Sequence, residues 1–372
     1  MPYGLRCRKA ALRLEVPWGS EGGDINTPDP PVKSPVKPPK KPRRTAIFCD
    51  ESTRVESDRF PTLSGIRAAA SALAHVGVVT PLIEAEIRGE SVHIKAECLQ
   101  RTGSFKLRGA WWRLSSIPPE ARTAGVVAFS SGNHAQGVAW AAERLGMPAV
   151  IVMPADAPAA KVAGTRASGA QIVFYDRLTE SREAIAATLA EERGAVLVPS
   201  FDDPWIVEGQ GTAGLEIVER YRATTGRDVE RIAVCCGGGG LSSGISLGAP
   251  NAEIVVVEPE GWDDMGESLR RGEIVPVQPN PPVTACDALQ TLRVAPLTFG
   301  ILKDRRATGV AVSEAEVAAA MRFAFERLKI VAEPGGAVAL AAALAGKLPL
   351  KGTVLLVSGG NVDPARFREL VA

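Results

Sequence analysis

Residues 231–244 read R-I-A-V-C-C-G-G-G-G-L-S-S-G, an apolar strand pattern followed at once by four glycines. Backbone N–H groups can converge on a phosphate where no Cβ stands in the way, so the glycines predict a phosphate-binding turn. The turn lacks the G-K-[ST] of a P-loop and does not match G-x-G-x-x-G. A flexible linker is the alternative, but a linker rarely lies between a buried strand and a helix.

Short β-branched runs alternate with alanine-rich helical patterns on both sides of this stretch. Such alternation predicts an α/β fold with parallel sheets covered on both faces and ligands at the carboxyl ends of the strands. The predicted strands are 92–96, 126–130, 149–153, 171–175, 195–199, 231–236, 253–258 and 353–358. The predicted helices are 66–75, 105–114, 134–145, 158–167, 178–193, 209–225, 314–328 and 336–345.

The overall composition excludes several classes of protein. The 372 residues include 43 Lys plus Arg and 42 Asp plus Glu, and this balance argues against a nucleic-acid binder. No stretch approaches the ~20 apolar residues of a membrane-spanning helix. Six cysteines without a C-x-x-C pair, together with three histidines, argue against a zinc site. Buried thiols in a reducing compartment explain the cysteines most simply, so we expect a cytoplasmic protein.

The first 60 residues differ in composition from the rest. Prolines occupy positions 28, 30, 31, 35, 38, 39 and 42 and are interleaved with lysines. Fixed φ angles and missing N–H donors disfavour helix and sheet, so we predict a disordered, solvated tail over residues 1–60. A docking arm for an aromatic groove or an acidic surface is the alternative.

Three further segments place polar side chains at predicted strand ends or helix starts. Lys106 falls in the first turn of a helix, where the macrodipole lowers the cost of the neutral amine that a Schiff-base nucleophile needs. Residues 129–137 read F-S-S-G-N-H-A-Q-G, which is typical of an anion site, although Ser131 or Asn133 capping a helix is the alternative. Ser358 precedes two glycines that would admit a flat ligand, with an ordinary turn as the alternative.

These segments, in this order, resemble the serine/threonine dehydratase and serine racemase family of fold-type II pyridoxal 5′-phosphate enzymes. The motifs are S-F-K-L-R-G-A, S-S-G-N-H-A-Q-G, G-G-G-G-L and S-G-G-N-V-D, and the similarity runs from about residue 66 to 363. The resemblance implies a tryptophan-synthase-β-like fold with two parallel-sheet, three-layer domains and the cofactor in the cleft. Residues 61–122 and 206–372 would form the large cofactor-binding domain, and residues 123–205 the small one. A homodimer is also implied.

The resemblance also assigns roles to individual residues. Lys106 would hold pyridoxal 5′-phosphate as a Schiff base and then act as the base, and Ser131 would be the acid on the opposite face. The other cofactor contacts would be Phe105 against the ring, Asn133 at the 3′-oxygen, Ser358 at the ring nitrogen, and Gly237, Gly238, Gly239, Gly240 and Leu241 around the phosphate. The substrate carboxylate would be held by Ser130, Ser131, Asn133 and His134.

A divalent cation site is implied at the segment V-E-P-E-G-W-D-D, residues 257–264. Glu258, the Trp262 carbonyl and Asp264 would bind Mg²⁺ or another divalent cation, with waters completing the shell. The alternative is an acidic surface turn that is simply solvated.

The activity that we expect is deamination of L-threonine or L-serine to 2-oxobutyrate or pyruvate and ammonia. Serine racemase or 3-hydroxyaspartate dehydratase activity in the same site is the alternative. The segment 286–292 reads C-D-A-L-Q-T-L where the family commonly has Ala-Asp-Gly, and this departure leaves the substrate open. A nicotinamide oxidoreductase would need a G-x-G-x-x-G turn, and a catalytically silent homologue would normally lack a residue such as Lys106.

Overall fold

The computed structural model describes residues 59–130, 132–157, 159–177 and 179–372. Residues 1–58, which make up almost all of the predicted tail, lie outside the described residues, and so does Ser131. The strands are β1 (Leu82–Ile87), β2 (Glu90–Ala96), β3 (Val126–Phe129), β4 (Ala149–Pro154), β5 (Gln171–Tyr175), β6 (Val196–Leu197), β7 (Arg231–Cys235), β8 (Glu253–Pro259), β9 (Thr308–Val312) and β10 (Thr353–Val357). The helices are α1 (Leu63–Leu73), α2 (Lys106–Ser115), α3 (Asn133–Arg144), α4 (Ala159–Ala167), α5 (Arg182–Arg193), α6 (Pro204–Thr225), α7 (Gly240–Gly248), α8 (Asp264–Arg271), α9 (Pro296–Asp304), α10 (Glu314–Phe323), α11 (Pro334–Leu344) and α12 (Pro364–Val371).

A six-stranded sheet has the strand order β1-β2-β10-β7-β8-β9. All neighbouring strands are parallel except β1 and β2, which form an antiparallel hairpin at one edge. The two residues of the hairpin turn, Arg88 and Gly89, both have positive φ, as the right-handed twist of paired strands favours. Helix α11 packs against this sheet, and its residues 334–343 are all buried. An alanine-rich helix that is apolar on every side can be covered in this way.

A second, four-stranded sheet has the order β5-β4-β3-β6, and all of its pairs are parallel. Alternate side chains of its strands enter two separate apolar clusters. Ala128 and Ile151 lie in a cluster with α3, whereas Val127 and Val150 lie in a cluster with α5. Both faces of this sheet are therefore covered, which explains why its strands are apolar throughout.

The predicted α/β architecture with parallel sheets is confirmed, and all eight predicted strands are present. The division into domains at 122/123 and 205/206 stays a prediction, although the four strands of the second sheet all come from residues 126–197. In the described part of the chain, no helix combines the length and apolarity needed to cross a membrane.

Candidate functional site

A cavity of about 720 Å³ opens at the carboxyl ends of β3, β7 and β10. It brings together most of the residues that the sequence singled out, although they come from four distant segments. Its lining includes Phe105, Lys106, Ser130, Asn133, His134, Gly237, Gly238, Gly239, Gly240, Leu241 and Ser358. Glu258, Trp262 and Asp264 do not line this cavity.

Lys106 begins α2, and its partly buried side chain lines this cavity. Nζ donates a hydrogen bond to the Ser200 carbonyl at 2.9 Å and lies 5.1 Å from the centre of the Phe105 ring. Burial lowers the pKa of Lys106 to about 8, and the nearby Cys235 and Glu333 act in the opposite direction. A substantial fraction of the amine is therefore neutral near physiological pH, and the neutral amine is the nucleophilic form.

The four glycines connect β7 to the start of α7. Gly239 has a φ of +87° and occupies the N-cap position, and no side chain caps this helix. A Cβ at Gly238 would collide with the Phe201 ring, and one at Gly240 would lie 2.9 Å from Phe201 Cα. Glycine is therefore required at position 239 by the backbone angle, and at positions 238 and 240 by the close approach of Phe201. The free N–H groups at this helix start suit an anion such as a phosphate.

The second turn leads from β3 into α3. Ser130 Oγ accepts a hydrogen bond from the Gly132 N–H, Gly132 takes the N-cap position, and no side-chain cap bond is present. The alternative in which Asn133 caps the helix is therefore wrong. The N–H groups of the first turn of α3 are left free for an anionic ligand.

His134 lines the cavity, and its imidazole ring is buried. Its Nε2 lies 3.0 Å from the Val198 carbonyl, and its buried Nδ1 has no hydrogen-bond partner among the described residues. Burial and, to a lesser extent, the nearby Lys106 lower the pKa of His134 to about 3. The ring is therefore neutral and donates Nε2–H to Val198. Nδ1 is left as an acceptor, so only the His134 backbone N–H could donate to a carboxylate.

Two residues that the sequence analysis missed hold the Asn133 side chain. Its Nδ2 donates to Glu333 Oε1 at 2.5 Å, and its Oδ1 accepts from Asn361 Nδ2 at 2.8 Å. Burial raises the pKa of Glu333 to about 7. Asn361 belongs to the quoted motif S-G-G-N-V-D and could have been found there. Glu333 precedes the predicted helix 336–345 and carried no signal.

Ser358 follows β10 and ties several segments together through its backbone. Its N–H donates to the Gly336 carbonyl, and its own carbonyl accepts from the Phe105 N–H at 3.1 Å. Its side chain faces Cys235, whose thiol pKa is raised to about 11 by burial, with the Ser358 hydrogen bond acting in the opposite direction. Cys235 is therefore a neutral thiol beside the hydroxyl.

Besides Lys106, three cationic side chains line the cavity, those of Lys161, Arg182 and Arg293, and none of them stood out in the sequence. Lys161 of α4 forms an ion pair with Asp287, Nζ to Oδ2 at 2.5 Å, and so connects the two sides of the cavity. Arg182 lies at the start of α5, where its guanidinium is 5.5 Å from the centre of the Phe129 ring. Asp287 comes from the segment whose departure from the family pattern left the substrate open.

The predicted cation ligands form a separate acidic pair. Glu258 is fully buried and accepts hydrogen bonds from the N–H groups of Met265 and Gly266, at 3.1 and 2.8 Å. Both carboxylate oxygens of Asp264 are buried without a close hydrogen bond among the described residues. Burial raises the pKa of both groups, that of Asp264 to about 7, whereas the backbones of Val294 and of Asp264 itself act to lower the pKa of Asp264. Among the described residues, no group of three or more His, Cys, Asp or Glu side chains forms a metal cluster.

Both the sequence and the fold are similar to those of known proteins. Residues 74–360 match the family described as pyridoxal-phosphate dependent enzymes. The chain is 47% identical to an L-threo-3-hydroxyaspartate ammonia-lyase from Pseudomonas sp, over 76% of this chain and 88% of that protein. It is 41% identical to an L-threonine ammonia-lyase from Thermotoga maritima, over 81% of this chain and 76% of that protein. The solved structure of maize serine racemase is similar with a TM-score of 0.77 and 34% identity, covering 84% of this chain and 97% of that one.

Proposed function

Because the chain belongs to the family of pyridoxal-phosphate dependent enzymes, we propose that it deaminates L-threonine and L-serine to 2-oxobutyrate and pyruvate with release of ammonia. The observation that carries this proposal is the position of Lys106, which lines the same cavity as the glycine turn. A phosphorylated aldehyde could bond covalently to the amine while its phosphate binds at the glycine turn.

The residues around the cavity fit this cofactor. Lys106 Nζ would hold it covalently, and the turn from Gly237 to Leu241 would bind its phosphate through uncapped N–H groups. Phe105 would pack on the ring, Asn133 would donate to the 3′-oxygen, and Ser358 would bond the ring nitrogen. Pyridoxal phosphate supplies the electron sink for the bond broken at Cα.

The chain itself would position the substrate and move the proton. The substrate carboxylate would bind at Ser130, Ser131, Asn133 and His134, with the free N–H groups of α3 as donors. Lys106 Nζ would take the Cα proton, and the β-hydroxyl would leave as water. The released enamine takes up water and loses ammonia, which leaves the 2-oxo acid. Racemisation of serine in the same site would require Ser131 to return a proton from the opposite face.

L-threo-3-hydroxyaspartate is a second candidate substrate, and the cationic side chains of Lys161 and Arg182 favour it. Lys161 and Arg182 line the cavity, and Lys161 Nζ already binds a carboxylate, that of Asp287. Lys161 Nζ would also lie 3.3 Å from a Cβ at Gly132, which puts it beside the turn proposed for the substrate carboxylate. A second carboxylate on the substrate could pair with these cations, whereas the methyl group of threonine could not.

We also propose a divalent cation, Mg²⁺ or a similar ion, at Glu258, Asp264 and the Trp262 carbonyl. The two Asp264 oxygens, which lack a close hydrogen bond, and the raised pKa values of both carboxyl groups support it, because a cation would offset the charge of this buried pair. Mg²⁺ usually keeps several waters, so few protein ligands suffice.

We also propose that the protein is a cytoplasmic homodimer. The four cysteines within the described residues are free thiols, in keeping with a reducing compartment. Val79, Leu99 and Val331 are exposed apolar side chains on neighbouring segments, which Gln100 and Gly360 bring together. Exposed apolar patches are typical of subunit contacts.

A substrate panel tests the activity. The purified protein is incubated with L-threonine, L-serine or L-threo-3-hydroxyaspartate, with Mg²⁺ or with a chelator. Ammonia, 2-oxobutyrate, pyruvate, oxaloacetate and D-serine are then measured. We expect 2-oxo acids and ammonia from the wild type and none from Lys106→Ala. Equal product from both proteins, or no product from any substrate, would contradict the proposal.

Variants of the cations decide between the substrates. If the distal carboxylate of hydroxyaspartate binds there, Lys161→Gln and Arg182→Gln lower kcat/KM for it about tenfold or more and leave that for threonine largely unchanged. Arg177→Gln is the matched control, because Arg177 pairs with Asp156 on the surface and does not line the cavity. Equal losses for both substrates would contradict this second candidate.

A further inference from the structure

Glu333 is a buried carboxyl group in the cavity that the proposed reaction does not use. Its side chain lines the cavity and its residue is only 2% exposed. Oε1 accepts a hydrogen bond from Asn133 Nδ2, whereas Oε2 is buried without a hydrogen-bond partner among the described residues. Burying a carboxyl oxygen without a hydrogen-bond partner lowers the stability of the fold. We therefore expect Glu333 to have a function in this cavity that offsets the cost.

The backbone around Glu333 is arranged to admit its side chain. The Glu333 N–H donates to the Gly359 carbonyl at 3.0 Å. A Cβ at Gly359 would lie 2.1 Å from Glu333 Oε1 and 3.2 Å from Asn133 Nδ2. Only a glycine at position 359 therefore leaves room for the hydrogen bond between Glu333 and Asn133.

The contacts of Asn133 determine which way its amide faces. An amide carries two acceptor positions on its oxygen and two N–H donors on its nitrogen. Asn361 Nδ2 donates to Asn133 Oδ1 and is itself held by the Thr102 carbonyl at 2.7 Å. A carboxylate can only accept, so Glu333 requires the amide nitrogen on its side. One N–H of Asn133 is then left over.

We propose that Glu333 is a positioning residue that holds the remaining N–H of Asn133 toward the 3′-oxygen of the bound cofactor. This inference rests on the proposed function, which puts Asn133 beside that oxygen. If the amide turned by half a rotation, its carbonyl would face the 3′-oxygen and repel it. Glu333 thus acts through Asn133 on the cofactor and does not itself react.

Ionisable groups from several elements face Glu333. They are Lys106 of α2, Lys161 of α4, Asp287 between α8 and α9, Cys98 after β2 and Cys235 of β7. Burial raises the pKa of Glu333 to about 7, Lys161 opposes this rise, and Asp287 adds to it. Oε2 therefore changes from an O–H donor below this pH to an acceptor above it, while Oε1 accepts from Asn133 in both forms.

Four variants of the holoenzyme test the proposal. Glu333→Gln keeps an acceptor oxygen for Asn133 but cannot ionise, and Glu333→Ala removes the acceptor. Asn361→Ala removes the other contact that fixes the amide. Glu208→Gln is the matched control, because Glu208 is a fully buried acid that accepts from Trp112 and does not line the cavity. The readouts are the absorbance spectrum of the bound cofactor below and above pH 7 and the cofactor dissociation constant.

We expect Glu333→Ala and Asn361→Ala to shift the spectrum and to raise the dissociation constant about tenfold, the effect of one lost hydrogen bond. Glu333→Gln should keep the wild-type affinity and lose the spectral change around pH 7, and Glu208→Gln should keep the wild-type spectrum. A wild-type spectrum and affinity in Glu333→Ala, or a Glu333→Gln protein that behaves like Glu333→Ala, would overturn the proposal. If Glu333→Ala does not fold, Asn361→Ala decides. Failure of the proposed function is separate, because a wild type that binds the cofactor but releases no 2-oxo acid leaves the spectral comparison of these variants intact.

Discussion

Replacing Gly239 by alanine probes how closely the glycine turn is packed. Its φ of +87° costs an L-residue about 1–2 kcal/mol. The new Cβ would lie 2.8 Å from Met265 Cε and 2.9 Å from Thr298 Cβ. Thr298 is fully buried and donates to the Gly238 carbonyl at 2.8 Å, so it cannot move away without breaking that bond. Overpacking adds about 1–3 kcal/mol, and the total destabilisation is about 2–5 kcal/mol.

Gly226→Ala is the matched control. Gly226 follows α6 with a φ of +71°, and no heavy atom lies within 4 Å of its ideal Cβ position. This variant carries the backbone cost alone, about 1–2 kcal/mol. Both substitutions should lower the melting temperature of the apoprotein, and Gly239→Ala should lower it roughly twice as much.

The two variants should differ more clearly in cofactor binding. A turn displaced by the new methyl group loses at least one hydrogen bond to a charged phosphate, about 1.5–3 kcal/mol, or roughly tenfold to a hundredfold in affinity. Titration of each apoprotein with pyridoxal phosphate, followed by absorbance, measures this loss. If Gly239→Ala binds the cofactor as tightly as Gly226→Ala does, the turn does not hold the phosphate and the reasoning fails.

Three further predictions concern pH, metal and buried charge. The rate at which the apoprotein attaches pyridoxal phosphate should rise with pH, reach half its maximum near pH 8 and then level off, because the pKa of Lys106 is lowered to about 8 and the neutral amine reacts. Stopped-flow absorbance measures this rate, and a half-maximum at the pKa of free lysine would contradict the prediction. Adding Mg²⁺ to chelator-treated protein should raise the melting temperature of the wild type but not of Asp264→Asn, and equal responses would argue against the proposed site. Arg108→Met should destabilise the fold by about 3–5 kcal/mol, because it removes the close ion pair of the fully buried Glu97 and leaves Lys95, at 3.9 Å, as its remaining cation, whereas the exposed Arg366→Met should cost less than about 1 kcal/mol. Denaturant unfolding compares the two variants, and similar losses would contradict the prediction.

Much of the sheet structure could be predicted because strands covered on both faces are continuously apolar. The apolar pattern does not predict β1 and β9, which are the edge strands of the larger sheet. β1 reads L-I-E-A-E-I and is half exposed, so it lacks the apolar run of a central strand. In β9, Gly309 interrupts the apolar pattern. A Cβ there would lie 2.4 Å from Gly266 Cα, so the glycine marks a close approach of α8.

Helix boundaries depended on capping residues that the periodicity does not reveal. The apolar pattern predicts that the sixth helix begins at residue 209, whereas α6 begins at Pro204. Asp203 caps it by accepting from the Ile206 N–H at 2.9 Å, and proline at the first helical position suits the cap. The predicted start therefore lies within the glycine-rich part of the helix rather than at its cap.

The candidate site could be assembled from the sequence only where a residue lies in a recognisable local motif. Lys106 and the four glycines are of this kind. Glu333 is not, because it meets Asn133 across 200 positions of the chain and stands alone in its own segment. Its contact exists only once β3 and β10 bring their ends to one cavity, and no spacing within the sequence encodes that meeting.

The central claim is that Lys106 carries the cofactor. Reduction of the holoenzyme with borohydride, followed by proteolysis and mass spectrometry, locates the lysine that bears the phosphopyridoxyl group. The account predicts the group on Lys106 and not on Lys161, the other lysine that lines the cavity. A phosphopyridoxyl group on Lys161, or on no lysine of the chain, would contradict it.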